Sequence, residues 1–236
     1  MTTEPLAGVV GRATAFLFDF DGPICAVFAG VPAIEVAVDL RRFIRRHARI
    51  HIPSEVEQTQ DPLELIRWAG DALPSAVCKE VDAYLQQAEV AAVATARPTP
   101  HAEECIRAMH ESRVPLAVVS NNSAMAVEQY LVQRGLRHVF SVVVGRVIGE
   151  PALMKPDPAL IEVALVDLGM SGQGAPLFIG DSVTDCQAAR AAGVPIIIAY
   201  ANRPSKVSVL QAERPDALIT HMSELEAAFA GLALDR

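Results

Sequence analysis

Asp19 and Asp21 stand one residue apart at the end of the apolar run Ala15-Phe16-Leu17-Phe18, and Gly22 follows them. Two carboxylates this close repel each other unless a cation or a shared proton intervenes. Hard divalent cations such as Mg²⁺ take oxygen ligands of this kind. The apolar run lacks alternation, so it reads as a strand buried on both faces. In open α/β sheets ligands bind beyond the carboxyl ends of the strands, which puts the pair where a substrate would sit. An aspartate before a glycine is equally a turn former, and the spacing alone leaves both readings of Asp21 open.

Matching partners follow in order along the chain. Val118-Val119 leads into Ser120-Asn121-Asn122, which puts a hydroxyl at the end of a second apolar run. Lys155 sits between Met154 and Pro156, just before a helix start. The other lysines are Lys79 and Lys206 in a chain otherwise rich in arginine, which argues against generic surface charge. Phe178-Ile179-Gly180 ends in Asp181, and Asp185 follows one turn later at a helix entry. Acids in a first turn also serve as ordinary caps, and Asn121 is also a turn residue. These four motifs, in this order and three of them at ends of apolar runs, resemble the haloacid dehalogenase superfamily of aspartate-nucleophile phosphotransferases. The resemblance is to its phosphoglycolate-phosphatase-like members, and it covers the motifs and the core strands around them.

The resemblance implies a role for each residue. Asp19 is the nucleophile, since a carboxylate can attack phosphorus and split one displacement into two. Asp21 is the general acid and base, protonating the leaving oxygen and then activating water. Ser120, Asn121 and Lys155 bind phosphate, and Lys155 also favours the ionised form of Asp19. Mg²⁺ is held by an oxygen of Asp19, the carbonyl of Asp21, and Asp181, with Asp185 ligating or holding metal-bound water. One departure stands out: where the family usually has Thr or Val after Asp-x-Asp-Gly, this chain has Pro23, which lacks a backbone donor and fixes φ.

Composition bounds the rest. The 236 residues carry 51% hydrophobic residues and a net charge of −8, enough for a packed core and contrary to general binding of nucleic acid or anionic membranes. No apolar stretch approaches a membrane span, and Met1 to Arg12 shows no secretory pattern, so a cytoplasmic location is expected. Cys25, Cys78, Cys105 and Cys186 show no C-x-x-C spacing, which predicts reduced, mostly buried thiols. The six histidines form no zinc pattern.

Residues from about Val27 to Arg97 read as helix throughout, with helices from Pro32 to Arg49, from Asp61 to about Ala72 and from Pro74 to about Ala96. Arg97-Pro98-Thr99-Pro100 reads as a linker. After it, helix and strand alternate: helices at 101–112, 123–133, 158–168 and 183–192, strands at 116–120, 141–144, 177–180 and 195–200, a last strand near 217–220 and a helix from Ser223. The expected fold is α/β, a Rossmann-like, mostly parallel sheet core formed by residues 1–26 and 98–236, with a helical cap domain at 27–97 hinged near Cys25–Gly30 and Arg97–Pro100. Arg41, Arg45 and Arg49 share one helix face, either as a solvated surface or reaching an anionic substrate. Trp68 and Tyr84 read as core.

The function expected is Mg²⁺-dependent hydrolysis of a small phosphomonoester through an aspartyl-phosphate, by a monomer or homodimer. A phosphomutase acting on a sugar phosphate and a non-catalytic binding protein on the same fold are the alternatives. Dehalogenase and phosphonatase chemistry is disfavoured by the resemblance, because Asp21 stands where those relatives lack an acid.

Overall fold

The computed structural model describes residues 5–170 and 172–234. The first four residues of the Met1–Arg12 segment therefore lie outside the described residues. In chain order the elements are α1 (Leu6–Gly11), β1 (Ala15–Phe18), β2 (Cys25–Ala26), α2 (Ala33–Ala48), α3 (Ser54–Glu57), α4 (Pro62–Ala72), α5 (Ser75–Val93), β3 (Arg97–Pro98), α6 (Ala102–Glu111), β4 (Leu116–Ser123), α7 (Ala124–Gln133), β5 (Val142–Arg146), α8 (Ala159–Asp167), β6 (Pro176–Gly180), α9 (Val183–Ala191), β7 (Ile196–Tyr200), α10 (Pro204–Ala212), β8 (Ala217–Ile219) and α11 (Met222–Leu234).

Six strands form one parallel sheet in the order β5-β4-β1-β6-β7-β8. Its strands are continuous apolar runs because both faces are covered. Phe16 and Phe18 of β1 join one apolar cluster with residues of α1, α6, α7 and α11, while Ala15 and Leu17 join another with α8, α9 and α10. The chain leaves β1 toward β4 and β5 on one side and returns to β6 on the other. The carboxyl ends of β4, β1 and β6 thus surround the point where strand order reverses, the usual crevice of such sheets.

The segment between β2 and β3 is not helical throughout. It holds α2, α3, α4 and α5, separated by short loops, and Asp61 caps α4 by accepting a hydrogen bond from the Leu63 amide at 2.8 Å. These helices bury a cluster of their own around Leu40, Ile44, Leu65, Val81 and Leu85, into which Met154 also packs. Arg97-Pro98 is not a free linker: it pairs antiparallel with Cys25-Ala26 and draws the two ends of the helical segment together. Sequence periodicity misses α1 and α10, and it ends β4 three residues early because Asn121, Asn122 and Ser123 are polar. Their pairing continues to Ser123 opposite Arg146 after a shift of register. The four cysteines are buried and unpaired, and no helix among the described residues is long and apolar enough to cross a membrane.

Leu40→Ala removes a fully buried side chain from the helical cluster. It should lower unfolding free energy in urea by about 2–5 kcal/mol. Val132→Ala, at a side chain 65% exposed, should change it by less than about 0.5 kcal/mol.

Candidate active site

β1 delivers Asp19 to the crevice, where its amide donates to the Ile179 carbonyl of β6 at 2.8 Å. Lys155, only 1% exposed, points its ammonium into the same spot. Nζ donates to Asp19 Oδ1 at 2.6 Å and to the Val119 carbonyl at 3.0 Å, and pairs with Asp185 Oδ1 at 2.6 Å. Asn121 fixes the lysine's backbone from both sides: its Oδ1 accepts from the Lys155 amide at 2.8 Å and its Nδ2 donates to the Lys155 carbonyl at 3.1 Å.

Asp181 ends β6 and Asp185 closes the first turn of α9. Asp185 Oδ2 accepts from the amides of Asp181 and Ser182 at 3.2 and 3.0 Å and from the Ser182 hydroxyl at 2.6 Å. This is a reciprocal capping box with Ser182. Capping and site residence therefore coincide in one side chain. Asp181 Oδ2 accepts from Lys206 Nζ at 2.5 Å and Asn202 Nδ2 at 2.8 Å. Oxygens of Asp19, Asp181 and Asp185, all buried, come within 4.8 Å of one another. Three carboxylates packed so tightly need positive charge between them, and their hard oxygen donors suit a divalent cation of the Mg²⁺ kind.

Asp21 lies on the turn after β1, where its Oδ1 accepts from the Val27 amide at 2.9 Å. Gly22 is required there on two counts. Its φ is +119°, and a Cβ would stand 2.4 Å from the Asp181 carboxyl carbon. The turn closes through the Gly22 amide to the Cys25 carbonyl at 2.7 Å, and the Thr99 hydroxyl donates to the Gly22 carbonyl at 2.5 Å. The Ile24 and Cys25 amides both donate to the Phe20 carbonyl, so the turn closes on amides either side of Pro23. Ser120 is buried, with its hydroxyl donating to Asn122 Oδ1 at 3.3 Å and accepting from the Asn122 amide at 3.0 Å.

Burial, together with Asp185, pushes the Asp19 carboxyl well above its ordinary value, while Lys155 pulls the other way. Burial opposes the charge of Lys155, but Asp185 and Asp19 outweigh it and hold the ammonium above its usual value. Asp21 is pushed up to about 6, mainly by burial, against the Val27 hydrogen bond. Burial also raises Asp181, countered by Lys206. The buried Cys25 thiol is driven up as well, first by burial and then by Asp21 and Asp19, so it stays protonated beside the site.

All seven sequence-selected residues, Asp19, Asp21, Ser120, Asn121, Lys155, Asp181 and Asp185, line one cavity of about 300 Å³. Asp61, which caps α4, and Glu64 and Arg67 within α4 line it too. The arginine at the cavity is Arg67, whose Nη2 donates to the Lys155 carbonyl at 2.6 Å. None of the α2 arginines lines that cavity. Arg41 donates to the Thr59 carbonyl, Arg42 pairs with Asp39 and Arg45 pairs with Glu57. Sequence reasoning missed Arg67, Asn202 and Lys206. The available signal for Arg67 was the polar side of α4, since Leu65, Ile66 and Ala69 are its buried side.

Residues 45–199 match the family model described as haloacid dehalogenase-like hydrolase, well over half of the chain. The chain belongs to this family. The matched span begins beyond Asp19 and Asp21, and it is the sheet that joins that pair to Ser120, Lys155 and Asp181. Curated relatives include (S)-2-haloacid dehalogenase 2 of Pseudomonas sp. (strain CBS-3), 28% identical over 129 residues, 55% of this chain and 54% of that protein. Phosphoglycolate phosphatase of Salmonella typhi is 32% identical over 127 residues, 53% of this chain and 48% of that one. The chain thus matches about half the length of these relatives. A solved structure of CbbY from Rhodobacter sphaeroides in complex with phosphate shares the fold, with a TM-score of 0.63, 21% identity, and coverage of 92% of this chain and 99% of that chain. The chain is thus a member of the haloacid dehalogenase-like hydrolase family, similar to phosphoglycolate phosphatases, with a cluster of three aspartates at its crevice.

Because Asp21 is raised to about 6, the folded state favours its neutral form. Its contribution to stability is complete below the unfolded carboxylate value and is lost as pH rises through about 6. Asp21→Asn removes that loss. In metal-free protein the variant should be more stable than wild type at pH 7.5, on the order of 1–3 kcal/mol, with the gap closing below about pH 4 in thermal unfolding.

Proposed function

We propose that the protein is a divalent-metal-dependent phosphatase acting on a small phosphomonoester, with Mg²⁺ as the cation. The observation that carries this reading is the convergence of Asp19, Asp181, Asp185 and the buried Lys155 within one cluster, with Asp21 two residues from Asp19. A lone charged group would not survive such burial, whereas a cation and a phosphoryl group complete the charge pattern.

Lys155 holds Asp19 Oδ1, leaving Oδ2 to attack phosphorus in line. The bond from phosphorus to the leaving oxygen breaks as Asp21 gives that oxygen its proton. Asp21 then takes a proton from water, whose oxygen attacks phosphorus. The bond to Asp19 breaks, and inorganic phosphate leaves with both aspartates restored. Asp19, Asp181 and the backbone at Asp21 would hold the cation, with Asp185 steadying Lys155 and the Asp181 loop. When bound, the cation supplies positive charge that shields the approach of one anion to another. Ser120, Asn121 and Lys155 receive the phosphoryl oxygens. Residues 27–97 act as the cap that covers the leaving group, and Asp61, Glu64 and Arg67 face it.

The similarity to a haloacid dehalogenase supports a second reading, in which Asp19 attacks carbon and expels halide. Asp21 weighs against it, since halide needs no proton from a nearby acid. Chloride release from 2-chloropropionate, in the absence of phosphate release from any ester, would decide for that reading. Transfer of the phosphoryl group to a sugar instead of water would appear as an isomeric sugar phosphate.

Asp19→Asn should fold and lose nearly all turnover, because an amide is not a competent nucleophile. Residual phosphate release within about tenfold of wild type would reject Asp19 as nucleophile. Excess chelator should abolish turnover and added Mg²⁺ restore it, measured as phosphate release across a metabolite panel. Full rate in chelator would reject the metal role of Asp181.

A further inference from the structure

Asp82 and Glu89 lie two turns apart on α5 and are fully buried, facing the equally buried Arg146 at the end of β5. Arg146 Nε donates to Asp82 Oδ1 at 2.7 Å. Its Nη1 and Nη2 donate to Glu89 Oε1 and Oε2 at 2.9 and 3.2 Å, and Nη1 also reaches the Asn121 carbonyl at 2.6 Å. The other lone pairs are taken by backbone and amide donors. The Gly149 amide donates to Asp82 Oδ2 at 2.7 Å, the Asn122 side chain to Glu89 Oε1 at 3.1 Å and the Ser123 amide to Glu89 Oε2 at 2.9 Å. One guanidinium against two carboxylates leaves net negative charge in an apolar setting. That is tolerable only where every oxygen is filled, and all four are.

Three of the groups so held belong to Asn121, Asn122 and Ser123, the end of β4 that follows Ser120. The Asn121 side chain in turn clamps the Lys155 backbone, and Lys155 holds Asp19. We propose that Arg146 and Glu89 are positioning residues, which fix the phosphate-receiving end of β4 and, through it, the lysine. Helix α5 then belongs mechanically to the sheet: it is the fixed post of the cap, and residues 27–97 do not swing as one body about their ends. The inference rests on the phosphatase reading for the meaning of that strand end.

The test compares two neutral replacements that break an ion pair with the same arginine. In Glu89→Gln the new amide must face a donor on one side, either Arg146 with Asn122 or Arg146 with Ser123. In Asp82→Asn the new amide must face either the Gly149 amide or Arg146 Nε, and neither belongs to residues 121–123. Binding of inorganic phosphate in the presence of Mg²⁺, and of Mg²⁺ alone, is read by calorimetry. Glu89→Gln should weaken phosphate on the order of tenfold and lower kcat on the order of 10²-fold, with Mg²⁺ affinity unchanged, while Asp82→Asn weakens phosphate far less. Equal effects of the two variants, or a matching loss of Mg²⁺ affinity, would mean a merely structural role and overturn the proposal. If Glu89→Gln does not fold, hydrogen exchange on wild type decides. Phosphate with Mg²⁺ should slow exchange at the Ser123 amide as well as at 120–122, since coupling is reciprocal. Protection confined to 120–122 and 155 would overturn it. Wild type that binds phosphate but hydrolyses no ester rejects the phosphatase reading and leaves this inference standing, whereas normal hydrolysis with unchanged phosphate affinity in Glu89→Gln does the reverse.

Discussion

Burying several carboxylates around one lysine is the constraint on which the rest of the structure depends. Asp19, Asp181 and Asp185 sit within reach of one another at the mouth of the sheet, and Lys155 touches two of them. Left alone, such a cluster repels itself and takes up protons, and the raised values of Asp19 and Asp181 express that tendency. What it can accommodate is added positive charge, and then an anion drawn to that charge. Binding and chemistry follow from a site whose charge balance is incomplete without its ligands.

The fold meets this constraint with backbone rather than bulk. Parallel strands end together at the crevice, so residues distant in sequence arrive side by side. Gly22 lets the β1 turn press against Asp181, and Gly180, whose own Cβ would stand 2.4 Å from that of Asp185, lets α9 do the same from below. The buried Arg146 network ties the end of β4 to α5 with a fixed geometry. Such a network contributes little net stability, given its desolvation cost. Its value lies in setting where Asn121, and through it Lys155, must sit.

Much of the core was legible in the sequence because chemistry and burial coincide there. Unbroken apolar runs marked β1, β4 and β6, and each ends in a polar residue that has no reason to be in a strand. The helical insert was legible in kind through the Asp61-Pro62 cap, but not in detail, since proline and alanine content does not locate the loops within it. Side chains whose partners lie far along the chain were not legible. Nothing local sets Arg146, Asp82 and Glu89 apart until α5 is laid against β5. Lys206 gains its meaning only once α10, which itself was missed, brings it against Asp181. The α2 arginines read as either a solvated face or a contact for an anion, since helical spacing says only which side chains share a face, not what that face meets.

In the proposed reaction Asp19 carries the phosphoryl group covalently. Enzyme mixed with a hydrolysed phosphate ester and Mg²⁺ can be quenched during turnover with borohydride, which reduces an acyl phosphate to an alcohol. Tandem mass spectrometry then locates the product. Homoserine is expected at position 19, and only when substrate and Mg²⁺ are both present. Phosphate release without any reduction at position 19, or with reduction at another aspartate, would contradict it.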